Sequence, residues 1–182
     1  LCAKNLDPNI PLLTPVGKSG RRANGSDVFG IDSVNEFDVF LDDIYDYCEM
    51  LDIGVDTLVH ESGPSQIEIN LNHGDPLKLA DQTFMFKRAV RQVALKHGIH
   101  ATFMAKPHQG QPGSSMHIHQ NLVSTKDHKN IFTDLDGKET KAFYQYIGGL
   151  QEYLPDAMVF FAPYVNSYRR FVMHSSAPIN TH

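Results

Sequence analysis

The sequence predicts an α+β fold, a mostly antiparallel sheet with helices packed on it. Three observations carry that expectation. Three stretches place apolar residues at the alternating three- and four-residue spacing of a buried helix face, and the first two have capping residues at their ends. Four short segments between and after the first two stretches, 56–60, 66–71, 101–105 and 116–122, have the length and composition of strands. Two of those segments flank Gly63-Pro64-Ser65, which bars a helix and turns the chain back on itself. At 182 residues the chain is long enough for one domain that buries roughly 70% of its unfolded surface.

The elements follow in order. Residues 5–30 are rich in Pro, Gly, Ser and Asn and carry Lys18, Arg21 and Arg22. They read as a long loop, mobile or wrapped on a surface, either a solvated connector or a flap over a substrate. Ser33 and Glu36 have capping-box spacing, and Phe37, Leu41, Ile44, Cys48 and Leu51 form one helix face that Gly54 would close. Asp38, Asp42, Asp43, Asp46 and Glu49 lie opposite, as a solvated side does. Asp75 and Pro76 open a second helix whose stripe is Leu79, Phe86, Val90 and Val93. Lys96 and His97 suit its negative end, and Gly98 stops it. A third helix is expected over 140–154, with Phe143, Ile147, Leu150 and Leu154 inward.

Composition excludes several function classes. Net charge is −5, so the basic footprint of a nucleic-acid binder is missing. No run of about 18 apolar residues exists, so no membrane span is expected. Two cysteines make no disulfide framework, which fits a cytoplasmic protein.

Three stretches carry candidate chemistry. In the segment 60–68, pairing about a centre between Pro64 and Ser65 would set Glu61 directly across from Glu68. Two carboxylates so placed repel unless a cation sits between them, and a divalent ion that prefers oxygen, Mg²⁺ or Mn²⁺, would serve; a screened, solvent-facing pair is the alternative. If 116–121 is a strand, His117 and His119 share one face and Ile118 points to the core. Gly110, Pro112, Gly113, Ser114 and Ser115 lead in as a small-residue loop whose backbone N–H groups can approach an anion. Arg169 and Arg170 follow a turn-forming Asn166-Ser167, and a guanidinium grips a carboxylate through two hydrogen bonds.

Together these motifs resemble the catalytic domain of the glutamine synthetase family. The matching stretches are E-S-G-P-S-Q-I-E at 61–68, G-D-P-L-K-L-A-D at 74–81 with the Phe86-Lys87 pair after it, A-T-F-M-A-K-P at 101–107, G-S-S-M-H-I-H at 113–119 and N-S-Y-R-R at 166–170. They stand in family order across residues 54–178. The resemblance implies that Glu61 and Glu68 ligate one divalent metal, Mg²⁺ or Mn²⁺, and His117 a second. It implies that His119 and Asp56 contact ATP, that Gly113 touches glutamate, and that Arg170 holds the glutamate α-carboxylate as the catalytic arginine. The implied reaction is ATP-dependent: the γ-carboxylate of glutamate attacks the terminal phosphate, and an amine then displaces phosphate to leave an amide.

The departures are as informative. Residues 1–182 are expected to be a partial catalytic domain, truncated at both ends, without the family's small N-terminal domain and without its later arginines and last metal-binding glutamate. Such a fragment is expected to be inactive alone, and the full-length protein to form a large homo-oligomeric ring. Ammonia-using members carry a glutamate six residues past the matched arginine, where this chain has Ser176. That exchange points to a larger amine, as in the γ-glutamylpolyamine branch. Ordinary glutamate–ammonia ligase activity and a non-catalytic structural or sensing relative are the alternatives.

Overall fold

A computed structural model of the chain describes residues 1–3, 9, 13–23 and 27–172. These belong to two compact units, Leu1–Ser114 and Ser115–His182. The first unit contains β1 (Cys2–Ala3), α1 (Ile31–Asn35), α2 (Asp38–Met50), β2 (Val55–His60), β3 (Ile67–Leu71), α3 (Pro76–Lys96) and β4 (Ile99–His100). The second contains α4 (Lys141–Phe161) and α5 (Val165–Tyr168). The class is α+β, with antiparallel pairing as expected. Among the described residues, however, the strands form two separate pairs, β1–β4 and β2–β3, rather than one sheet.

The first unit is organised by burial of α2 and α3 against each other and against the hairpin. Phe40, Leu41, Ile44 and Cys48 from α2 meet Phe86, Val90, Val93 and Ala94 from α3 in one cluster. Each large apolar side chain buried there contributes about 1.5–3 kcal/mol. The two free thiols, Cys2 and Cys48, are buried, and burial pushes both upward in pKa. The acidic side of α2 is partly engaged: Asp38 pairs with Lys18, and Asp43 accepts from Lys96 at 2.8 Å and His97 at 2.5 Å.

Helix α3 begins as expected. The Asp75 carboxylate accepts hydrogen bonds from the Leu77 and Lys78 N–H groups. It ends at Gly98, whose φ of 69° is a conformation that glycine adopts at no steric cost. Helix α2 departs from expectation at both ends. Ser33 and Glu36 form no capping box, because Ser33 lies within α1 and donates to Asp27, while the Glu36 carboxylate accepts from the Ser19 N–H at 3.0 Å. Nor does Gly54 stop the helix. Asp52 takes the left-handed turn at φ 53°, while its N–H reaches the Glu49 carbonyl and the Ile53 N–H the Cys48 carbonyl. That is a Schellman closure, with Ile53 as its buried hydrophobic anchor.

The loop expected to be mobile over 5–30 falls partly outside the described residues. Its described part is held in place: Val16 bridges to Arg22, the Lys18 N–H donates to the Glu36 carbonyl, and Thr14 donates to Ala23.

Two predicted strands do not form. Antiparallel β1–β4 pairs Cys2 with His100 and Ala3 with Ile99. Residues 101–105 continue past β4 and have no ladder partner among the described residues. Residues 116–122 are extended without a ladder, since no described segment offers them an edge; pairing starts only at the Val123–Asn130 bridge.

In the second unit, Phe132 is the buried centre, ringed by Phe143 at 5.7 Å and Tyr146 at 5.2 Å between centroids. Helix α4 starts one residue later than expected, with the Thr140 hydroxyl capping it by accepting from the Phe143 N–H. The helix continues past Leu154, through Pro155, to Phe161. Its predicted inward stripe is mostly uncovered: Phe143 is half-buried, while Ile147, Leu150 and Leu154 are exposed.

Candidate functional site in the hairpin and the glycine loop

The β2–β3 hairpin builds the part of the site that is best defined. Its pairs are Thr57–Asn70, Leu58–Ile69, Val59–Glu68 and His60–Ile67, and the Glu61 N–H donates to the Gln66 carbonyl at 2.8 Å. The closing loop is therefore Ser62–Ser65, centred between Gly63 and Pro64. A β-turn sits inside it, with the Gln66 N–H on the Gly63 carbonyl, Pro64 first of the central residues, and Ser65 second at φ 53°. Ser65 is fully buried, and its hydroxyl donates to the Leu1 carbonyl, which anchors the tip.

This corrects the predicted register. Glu68 faces Val59, and Glu61 faces Gln66, so the two glutamates are diagonal neighbours rather than direct partners. The pairing is displaced by two residues because the loop is centred one residue earlier than expected. A pleat of period two preserves the face under such a shift, whereas a shift of one would have separated the carboxylates.

The hairpin thus has two unlike faces. Leu58, Ile67, Ile69 and Leu71 pack toward the α2–α3 core together with His60, which is 2% exposed and whose Nδ1 has no hydrogen-bond partner. Thr57, Val59, Glu61, Gln66, Glu68 and Asn70 occupy the other face. Diagonal positions lie roughly 7–8 Å apart, near enough for two glutamate side chains to reach one ion with metal–oxygen bonds of about 2.0–2.1 Å. Neither glutamate has an ion pair among the described residues. Two half-buried carboxylates on one face with no cation beside them fit a divalent metal as oxygen donors. They do not complete a site: among the described residues no three His, Cys, Asp or Glu side chains gather closely enough to hold an ion.

Asp56 is the extra residue of a β-bulge between Val55 and Thr57, and it is exposed. A bulge takes a side chain out of the pleat's alternation, so Asp56 belongs to neither face by register. Gly113 is half-buried in the loop from Ala105 to Ser114, which closes with the Ser114 N–H on the Ala105 carbonyl at 2.8 Å. The Gly113 carbonyl accepts from Gln66 Nε2 at 2.9 Å. Gln66 was not singled out by the sequence reading. Its position two residues before Glu68 on the same strand face was the signal available.

The remaining predicted residues lie in the second unit. His117 and His119 are exposed on the extended segment, so the strand that was to align them is missing. Ile118, expected in the core, is 58% exposed. The His117 Nε2 lies 3.2 Å from the Ser115 hydroxyl. Arg170 follows α5; its Nε donates to the Ser167 carbonyl at 3.3 Å and its guanidinium lies 5.8 Å from the Phe171 ring centroid. Ser176 lies outside the described residues.

An antiparallel hairpin with two glutamates on one face, tied to a glycine loop within the first unit, is what the described residues build. The profile of the family described as the glutamine synthetase catalytic domain matches residues 3–182. The chain belongs to the glutamine synthetase family. It is 39% identical over 151 residues to the γ-glutamylputrescine synthetase PuuA of Escherichia coli K12, covering 82% of this chain and 32% of that protein. It is 40% identical over 137 residues to a glutamine synthetase of Pyrococcus horikoshii, covering 75% of this chain and 30% of that protein. Two solved structures of GmaS are similar at 28% identity. The one without ligand has a TM-score of 0.68 over 81% of this chain and 35% of its own; the ADP complex has 0.67 over 86% and 36%. The chain therefore spans about a third of the length of the relatives it matches.

Proposed function

We propose that the full-length protein carrying this chain is an ATP-dependent ligase that joins the γ-carboxylate of glutamate to an amine through γ-glutamyl phosphate. The observation that carries the reading is the hairpin face, where Glu61 and Glu68 stand together without a cationic partner beside a loop anchored at Gly113. In this reading Glu61 and Glu68 bind one Mg²⁺ or Mn²⁺ and His117 a second. Such ions neutralise charge on a phosphoryl group in transfer. His119 and Asp56 contact ATP. The Gly113 backbone and the Arg170 guanidinium hold glutamate, the latter by paired hydrogen bonds to the α-carboxylate.

Ser176 sets the amine. Ammonium taken from water needs a counter-charge, and the position six residues past Arg170 holds the neutral Ser176. A longer amine offsets that loss by burying methylenes, at roughly 0.8 kcal/mol each. Likeness to a glutamine synthetase is as high as likeness to a γ-glutamylputrescine synthetase, so ammonia is the second reading. The protein would work in the cytoplasm as a homo-oligomer; no described helix is long and apolar enough to cross a membrane.

The test incubates the full-length protein with ATP, glutamate and Mn²⁺, separately with ammonia and putrescine, and identifies the γ-glutamyl product by mass spectrometry. Product with neither amine overturns the proposal. A higher kcat/KM for ammonia than for putrescine moves it to the second reading. Ser176→Glu is expected to shift preference toward ammonia.

A further inference from the structure

Gln66 uses both ends of its side-chain amide. Oε1 accepts from the Gly63 N–H at 2.9 Å, and Nε2 donates to the Gly113 carbonyl at 2.9 Å. The reverse orientation would set the amino group against an N–H and the oxygen against a carbonyl, so the two backbone partners dictate which way the amide points. Gly113 is 47 residues away in sequence. This one side chain therefore links the turn of the hairpin to the closing end of the Ala105–Ser114 loop. It does so from the face that presents Glu61, directly opposite it, and Glu68, two residues along. Glycine at 63 is part of the same arrangement, since a Cβ there would stand 2.5 Å from Gln66 Oε1.

We propose that Gln66 is a positioning residue. It holds the Gly113 backbone at a set distance from the metal-binding carboxylates, so that bound glutamate is presented to the phosphoryl-transfer centre in register. The role rests on the ligase reading above, yet the link itself is testable without it. Displacing a reacting group by about 1 Å can cost on the order of 100-fold in rate, and removing the Gln66 donor takes away the bond that ties the Gly113 carbonyl to the hairpin. The effect falls on glutamate rather than on ATP, because Gln66 supports the glycine loop and leaves the charge of the carboxylate face unaltered.

The experiment compares full-length wild type with Gln66→Met, an uncharged side chain of similar length that lacks both donor and acceptor. Gly63→Ala is the second variant, and displaces the same amide by contact. Steady-state kinetics are read separately for glutamate and ATP, and hydrogen exchange is read at the Ser114 amide without ligands. Expected are a fall of about tenfold or more in kcat/KM for glutamate, an ATP KM within about twofold of wild type, and faster exchange at Ser114 in both variants. An ATP KM raised as much as the glutamate KM would mark a general structural defect and overturn the positioning role. So would an unchanged glutamate value. A wild type that forms no amide would remove the ligase reading, and the Ser114 exchange rate would still decide the link: no acceleration in Gln66→Met overturns it.

Discussion

Neutralising one carboxylate of the hairpin should change the sign of its effect with metal. Glu68→Gln keeps shape and length and removes one charge. Glu61 and Glu68 are diagonal on one face at roughly 7–8 Å. Coulomb's law at that distance gives a repulsion of about 0.5 kcal/mol in water-like surroundings and about 2 kcal/mol at a dielectric of 20. Both side chains are half-buried, which sets the value between these limits, near 1 kcal/mol. Without metal, then, Glu68→Gln should be more stable than wild type by about that much. With Mn²⁺ at about 100 times its dissociation constant, wild type gains about 2.7 kcal/mol, and the variant, short of an anionic ligand, gains little. The order of stability should therefore invert between EDTA and Mn²⁺. Equilibrium urea unfolding of the full-length protein in both conditions measures it. A variant less stable than wild type in EDTA would show that Glu68 makes a stabilising contact within the protein. Equal Mn²⁺ stabilisation of both proteins would refute the pair as ligands.

Other outcomes follow from the first unit. Ile44→Ala should lose about 2–5 kcal/mol in denaturant unfolding, because Ile44 is 2% exposed at the α2–α3 contact. Asp75→Ala should lose about 1 kcal/mol with the two cap hydrogen bonds, checked by the same measurement. Asp43 is held below the usual carboxylate range, first by the hydrogen bond from Lys96 and then by that from His97. A carboxyl with a lowered folded pKa stabilises above its ordinary pKa and loses that contribution as pH falls through the folded value. The stability gap between wild type and Asp43→Asn should accordingly be widest near neutral pH and close in acid.

Local signals were legible in the sequence wherever one segment contains its own cause. Asp75, Pro76 and Gly98 bound α3 because a cap and a left-handed stop act on the nearest turn. The α2 and α3 stripes found their core because a helix face is periodic along one chain. The family was legible from the order of its motifs. The glutamates were placed on a common face, and even a misplaced turn centre preserved that face because its error was an even number of residues. What depended on a partner in space was not legible. Residues 101–105 and 116–122 have strand composition, but a ladder requires a neighbour in register, and neither stretch has one among the described residues. Ser33 and Glu36 had capping-box spacing, yet Asp27 and Ser19 took their side chains into other hydrogen bonds. Gln66 looked like a polar residue between two glutamates. Its role as a link arises because the loop of Gly113 comes within 2.9 Å of it, across 47 residues that no local pattern spans. Pairing, register and side-chain bridging are non-local, and only the tertiary structure decides them.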